Sequence, residues 1–151
     1  ERTCLNEKAF MSVVKKYFGR QSINRNINIL FVCHIPDYGQ YSVDGQKHIL
    51  EISIIYHQYE NADLNNRRKL NKRCQTYELI STVLHEIAHF HQKLNYGKKF
   101  HTNGENNDLE PTKSLCKHYS KNEIGARVYE ARYIMDAIKL YDKVVKKDIE
   151  I

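Results

Sequence analysis

The sequence predicts a small α+β domain in which a short, mostly antiparallel sheet packs on a central helix and a C-terminal helix. Apolar residues recur at helical spacing in three segments: near the N-terminus, in the middle and near the C-terminus. Strand-like segments are grouped between the first and second of these helices. A length of 151 residues fits one domain, residues 1–151, that buries a core without disulfide or metal staples.

The first helix is predicted from about Glu7 to Phe18. Asn6 is a residue type favoured at the N-cap, because its side chain accepts a hydrogen bond from the first turn. Apolar side chains follow at helical spacing, and Gly19 is a common terminator.

Three strands are predicted after this helix. Residues 27–33 are rich in β-branched and aromatic side chains, which favour strands. A turn at residues 36–39 separates them from a strand at about 40–43. The Asp44-Gly45 hairpin signal then leads into a third strand at about 47–56.

The central helix is predicted from about Gln75 to Asn95, and the last from about Asn122 to near Lys147. The polar segment 60–73 is predicted to be a surface loop or a frayed helix start, and the polar segment 96–122 a long loop. A loop as long as the second is usually functional or contains short elements of its own.

The chain has 24 basic and 18 acidic residues, a net charge of +6. A basic surface attracts nucleic acid or an acidic protein, and either is a candidate partner. Ordinary solvated lysines explain the same excess, and no groove-reading motif accompanies them.

No apolar run approaches the length needed to span a membrane, and no signal peptide is visible, so a cytoplasmic location is expected. Because the chain begins without Met, a processed or secreted form stays open. The four cysteines are widely separated and favour reduced, buried thiols over a disulfide scaffold, although one or two bridges remain an alternative.

The central helix carries His85-Glu86-Ile87-Ala88-His89, an H-E-x-x-H motif. His85 and His89 lie one turn apart on one face, where both imidazoles can bind a single Zn²⁺. Glu86 projects beside the metal and can accept a proton from water that the metal activates. The motif therefore predicts two zinc ligands and a general base.

A catalytic zinc needs a third protein ligand. Glu123 is the preferred candidate, because small Gly125 and the alanine after it would let its helix pack closely against the histidine helix. His101, in the intervening loop, would complete a three-histidine set. Glu130 is a weaker candidate, since its place after Tyr129 is expected to turn it away from the face of Glu123.

His85-Glu86-x-x-His89 followed by Asn122-Glu123-x-x-Ala126 resembles the gluzincin pattern. The segment Glu123-x-x-Ala126-x-x-Tyr129-x-Ala131 is similar to the corresponding segment of the ImmA/IrrE-like metallopeptidases. This resemblance implies a zincin-like fold and a zinc metallopeptidase, a hydrolase acting on a protein or peptide. It also implies that the strand near Lys47 to Ile55 is the sheet edge along which the substrate lies.

Two departures keep alternatives open. Many gluzincins carry an acidic residue four positions after the ligand Glu, where this chain has Arg127. The second departure is the long, histidine-rich loop after His89. It resembles instead the SprT-like (Spartan) metalloproteases, whose third ligand is a His and which act on DNA-bound protein. A regulatory or nucleic-acid-associated module with structural zinc, and a metal-free helical protein, are the other hypotheses. The residue that stabilises the oxyanion also stays open among four candidates: His101, His118, Tyr119 and Tyr129.

Overall fold

A computed structural model describes residues 5–22, 25–32, 39–53, 71–96 and 121–149. Within these ranges the chain forms three α-helices and a three-stranded sheet, so the α+β class is confirmed. The elements in chain order are α1 (Glu7–Phe18), β1 (Asn26–Val32), β2 (Gly39–Asp44), β3 (Lys47–Ser53), α2 (Lys72–Tyr96) and α3 (Lys121–Ile149), with a short 3-10 helix at Gly19–Ser22.

Helix α1 has the predicted bounds and caps. The Asn6 side chain accepts a hydrogen bond from the backbone N–H of Ala9 at 3.0 Å, and Gly19 ends the helix at a positive φ of 66°. The backbone N–H of Asn6 also donates to the Tyr141 hydroxyl at 2.8 Å. The start of α1 is thereby attached to the far end of α3.

The sheet has the order β1-β3-β2, with β1 parallel and β2 antiparallel to β3. It is therefore mixed, whereas the hairpin signal alone suggested a mostly antiparallel sheet. Gly45 occupies the β2–β3 turn at a positive φ of 62°, which glycine adopts without strain. Strand β3 is paired on both sides from Lys47 to Ile52, so the prediction that it forms the sheet edge is wrong. Residues 54–56 of the predicted strand lie outside the described residues.

Helix α2 lies in the middle of the fold and contacts α1, α3, β2 and β3. Its apolar residues are buried on more than one side, as expected for a helix covered by several elements. Those with little or no exposure are Leu79, Ile80, Val83, Leu84, Ile87 and Phe90. They share one core with the inward residues of β3, Leu50 and Ile52, and with the buried stripe of α1.

Helix α2 begins earlier than predicted because Asn71 caps it. The Asn71 side chain accepts a hydrogen bond from the backbone N–H of Cys74 at 2.9 Å. Cys74 is an exposed free thiol, so the prediction of buried thiols is wrong at this position. The cysteines at 4, 33 and 116 lie outside the described residues. Within the described ranges, no helix combines the length and hydropathy that a membrane span requires.

Candidate metal centre

His85 and His89 project from α2 toward the first turns of α3. Their ring centroids are 4.9 Å apart, and their side chains are only 15% and 10% exposed. Glu86, between them in sequence, is 5% exposed. The potential ligand atoms of these three residues lie within 4.8 Å of one another. The motif therefore forms a largely buried cluster of potential ligand atoms.

Glu123, in the first turn of α3, completes this cluster. Its Oε1 lies 2.8 Å from Nε2 of His89 and its Oε2 lies 3.0 Å from Nε2 of His85, so one carboxylate spans both imidazoles. Glu123, the preferred candidate for a third ligand, is therefore in contact with both histidines of the motif. Its role as a ligand remains a prediction.

The close approach of α3 to α2 depends on small residues, as the sequence predicts. Ala126 is fully buried, and a Cβ added to Gly125 would lie 2.8 Å from Nε2 of Gln92. That nitrogen is not free to move away, because it donates to the backbone carbonyl of Asn122 at 2.9 Å. A side chain at position 125 would therefore displace Gln92 or separate the helices.

Glu130 also lies at the centre, so the prediction that it faces away from Glu123 is wrong. Its Oε2 lies 3.2 Å from Nδ1 of His85, and its Oε1 accepts a hydrogen bond from the Ser81 hydroxyl. Seven residues make almost two helical turns, so positions 123 and 130 differ by only about 20° around α3. A carboxylate thus contacts His85 from position 130, whereas Arg127, where the gluzincin pattern has an acidic residue, is exposed.

Gln92 is the corresponding partner of His89, and sequence reasoning missed it. Its Oε1 lies 2.9 Å from Nδ1 of His89. The detectable signal was its position three residues after His89, since such pairs are neighbours on a helix. Both Nδ1 atoms face oxygen acceptors, an arrangement in which a proton on Nδ1 would make Nε2 the atom that binds a metal.

The histidines and carboxylates of the cluster shift one another's pKa values. Burial lowers the pKa of His85, but its hydrogen bonds to Glu123 and Glu130 outweigh burial and raise the pKa to about 10. The pKa of His89 is raised in the same way, against the effect of burial, by Glu123 and Glu86. Burial raises the pKa of Glu123, but the two histidines hold it well below its usual range. A metal that binds these groups would compete with protons for the same atoms.

The donor set fits zinc. Two imidazole nitrogens and one carboxylate are the ligands of a common class of catalytic zinc sites. Tetrahedral zinc with bonds of about 2.0–2.1 Å needs ligand atoms about 3.3 Å apart. The Glu123 oxygens lie 2.8 and 3.0 Å from the two Nε2 atoms, somewhat closer than that spacing. Glu86 also has a carboxylate oxygen within 4.8 Å of the ligand atoms of both histidines, so it lies beside any metal that they hold.

Strand β2 reaches the centre at Gly39, which the sequence assigned to a turn. A Cβ added to Gly39 would lie 2.6 Å from Cγ2 of Thr82 and 3.2 Å from Cγ of Glu86. The absence of a side chain therefore lets the first residue of β2 touch α2 at the general-base candidate. Within the described residues, β2 is the strand at this edge of the sheet.

The other candidates named from sequence are not at the centre or are not described. Tyr129 packs against Tyr133, with ring centroids 4.7 Å apart, and its hydroxyl lies 3.5 Å from the carbonyl oxygen of Tyr17. It therefore belongs to an aromatic cluster between α1 and α3. The remaining candidates, His101, His118 and Tyr119, lie outside the described residues.

Comparison with known proteins identifies no relative: no protein-family model, curated protein or solved structure matches the chain. The gluzincin resemblance therefore remains a hypothesis, and the function is inferred from the residues of the centre.

Proposed function

We propose that this chain is a zinc-dependent endopeptidase with His85, His89 and Glu123 as ligands and Glu86 as general base. The observation that carries the proposal is the Glu123 carboxylate, which contacts Nε2 of both histidines at 2.8 and 3.0 Å. Nδ1 of each histidine is meanwhile held by an oxygen acceptor. Partners of this kind fix the tautomer and orientation of a ligating imidazole.

Bound zinc would supply Lewis-acid chemistry, lowering the pKa of water to about 7 and polarising a carbonyl group. The protein supplies the proton transfers. Glu86 accepts a proton from the attacking water and later donates it to the departing amine. Its 5% exposure keeps this carboxylate shielded from bulk water, where the proton would exchange.

The proposed substrate is an extended peptide segment lying along β2. This strand, rather than β3, is the edge next to Glu86, because Gly39 contacts the base and β3 is paired on both sides. An added strand gains main-chain hydrogen bonds that do not depend on the peptide's sequence. Pairing in register with β2 would bring one peptide bond to the position of Glu86.

The test combines metal content with cleavage. The purified chain is expected to contain about one zinc, by elemental analysis, and to cut members of a peptide library followed by mass spectrometry. Glu86→Gln should retain zinc and lose about 10²–10⁴-fold in rate, the usual contribution of a general base. Glu123→Gln should lose the zinc. Glu78→Gln, the same change two turns earlier on α2 at an exposed position, is the matched control.

The outcomes separate the alternatives. Equal cleavage by Glu86→Gln and the parent would refute the mechanism, and a chain that cannot be loaded with zinc would refute the site. Zinc without proteolysis, combined with nucleic-acid binding that weakens steeply with salt, would indicate the binding module instead.

A further inference from the structure

A pocket of about 580 Å³ opens at the end of the sheet where β2 turns into β3. The hairpin contributes Val43, residues 45–46 and His48 to its lining. The end of α2 contributes Lys93, and Arg25, just before β1, contributes a second cation. None of these residues belongs to the metal centre.

The lining is positively charged. Lys93 and Arg25 line the pocket together with the polar residues Asn26 and Gln46, and none of its lining residues within the described ranges is acidic. The pKa of His48 reflects these charges. Burial is the main cause that lowers it, and the positive charges of Arg25 and Lys93 lower it further. A concave site with one sign of charge concentrates counter-ions, so the pocket suits an anionic oxygen group.

The pocket lies in line with the metal centre. Gly39, at one end of β2, contacts Glu86, whereas Val43, near the other end, lines the pocket. The four residue steps from Gly39 to Val43 span about 13–14 Å of extended chain. On α2, Lys93 follows Glu86 by two turns, which puts it on the same face about 10 Å along the axis. The edge strand and the central helix therefore both lead from the base to the pocket.

We propose that this pocket binds the side-chain carboxylate of an acidic residue in the peptide substrate. The inference rests on the proposed function, because it assumes that the peptide lies along β2. An extended peptide rises about 3.3 Å per residue, so the acidic residue would lie about three or four positions from the cleaved bond. The pocket thus selects for Asp or Glu at a fixed distance from the site of cleavage.

The experiment compares pairs of peptides that differ only by Glu or Gln, placed three or four residues to either side of the cleaved bond. Wild-type protein is expected to show a kcat/KM about tenfold higher for the Glu peptide at one of these positions, as a charged hydrogen bond provides. In Lys93→Gln and in Arg25→Gln this ratio should fall toward one. In Lys93→Glu the ratio should fall below one, so that the Gln peptide is preferred. Lys139→Gln, an exposed change on α3, should leave the ratio as in wild type.

Each outcome decides between this inference and the proposed function. Cleavage that requires Glu86 but shows no acidic preference, or a preference unaffected by both single neutral variants, overturns the inference and leaves the peptidase standing. Equal cleavage of both peptides, with Lys93-dependent binding of inorganic phosphate, overturns it in favour of a free-anion site. A zinc-loaded chain that cleaves neither peptide of any pair, nor any library member, overturns both.

Discussion

Replacing Glu130 by Gln tests whether the centre depends on a supporting carboxylate. The substitution keeps the size of the side chain but removes the charge 3.2 Å from Nδ1 of His85, and it leaves Glu123 untouched. Loss of such a partner typically lowers metal affinity by 10–100-fold, which corresponds to about 1.4–2.7 kcal/mol. We expect the lower end, about tenfold, because at neutral pH Glu130 also favours the proton that competes with zinc for His85.

The measurement is a competition titration against a chromophoric chelator of known zinc affinity, at several pH values. Affinity should rise with pH for the parent and the variant, since the histidines must lose protons to bind the metal. Asp136→Asn, an exposed change of the same charge on α3, is the control, and Ser81→Ala should cause a smaller loss than Glu130→Gln. If Glu130→Gln binds zinc within twofold of the parent, or if Asp136→Asn loses as much, the orienting role of Glu130 is refuted.

Three further predictions concern the scaffold. Gly39→Ala places a methyl group 2.6 Å from Thr82 Cγ2. It should therefore reduce the free energy of unfolding, measured by urea titration, by about 1–3 kcal/mol. An unchanged urea midpoint of unfolding would contradict the close packing. A Cβ at position 45 meets no atom within 4 Å, but Gly45→Ala forces alanine to a φ of 62°. The free energy of unfolding should therefore fall by about 1–2 kcal/mol from backbone conformation alone. An unchanged free energy of unfolding would argue against that turn. The pKa of His48 is lowered by burial and by Arg25 and Lys93, so below its unfolded value of about 6.5 the unfolded chain binds the proton more readily. The free energy of unfolding of metal-free protein should therefore decrease as pH falls through 6.5 toward the folded pKa of His48. In His48→Gln, urea titrations at each pH should show a smaller decrease over the same range. An unchanged dependence on pH would show that His48 is not responsible.

Local patterns were sufficient for much of the fold. The bounds of α1 follow from Asn6, Gly19 and an apolar stripe, all of which act within a few residues of one another. The β2–β3 hairpin likewise follows from Gly45, and the last helix from its apolar repeat. These features were predictable because capping, turn conformation and helical spacing depend on near neighbours.

Strand pairing was not predictable in the same way. The parallel alignment of β1 with β3 depends on how the chain crosses between them, and it moved the sheet edge from β3 to β2. The contact of Gly39 with Glu86 is a consequence of that arrangement. No local pattern at Gly39 indicates that a helix more than forty residues later will pack on it.

For the centre itself, the sequence by itself determined the motif: His85, Glu86 and His89 share one face wherever that helix lies, because the spacing of a helix is set by its backbone. It also indicated Glu123, through the small residues that follow it. Only the tertiary structure decided how α3 is rotated against α2. That rotation brought Glu130 to His85, left Arg127 exposed and let Gln92 hold His89, because interhelical contacts depend on packing over the whole interface.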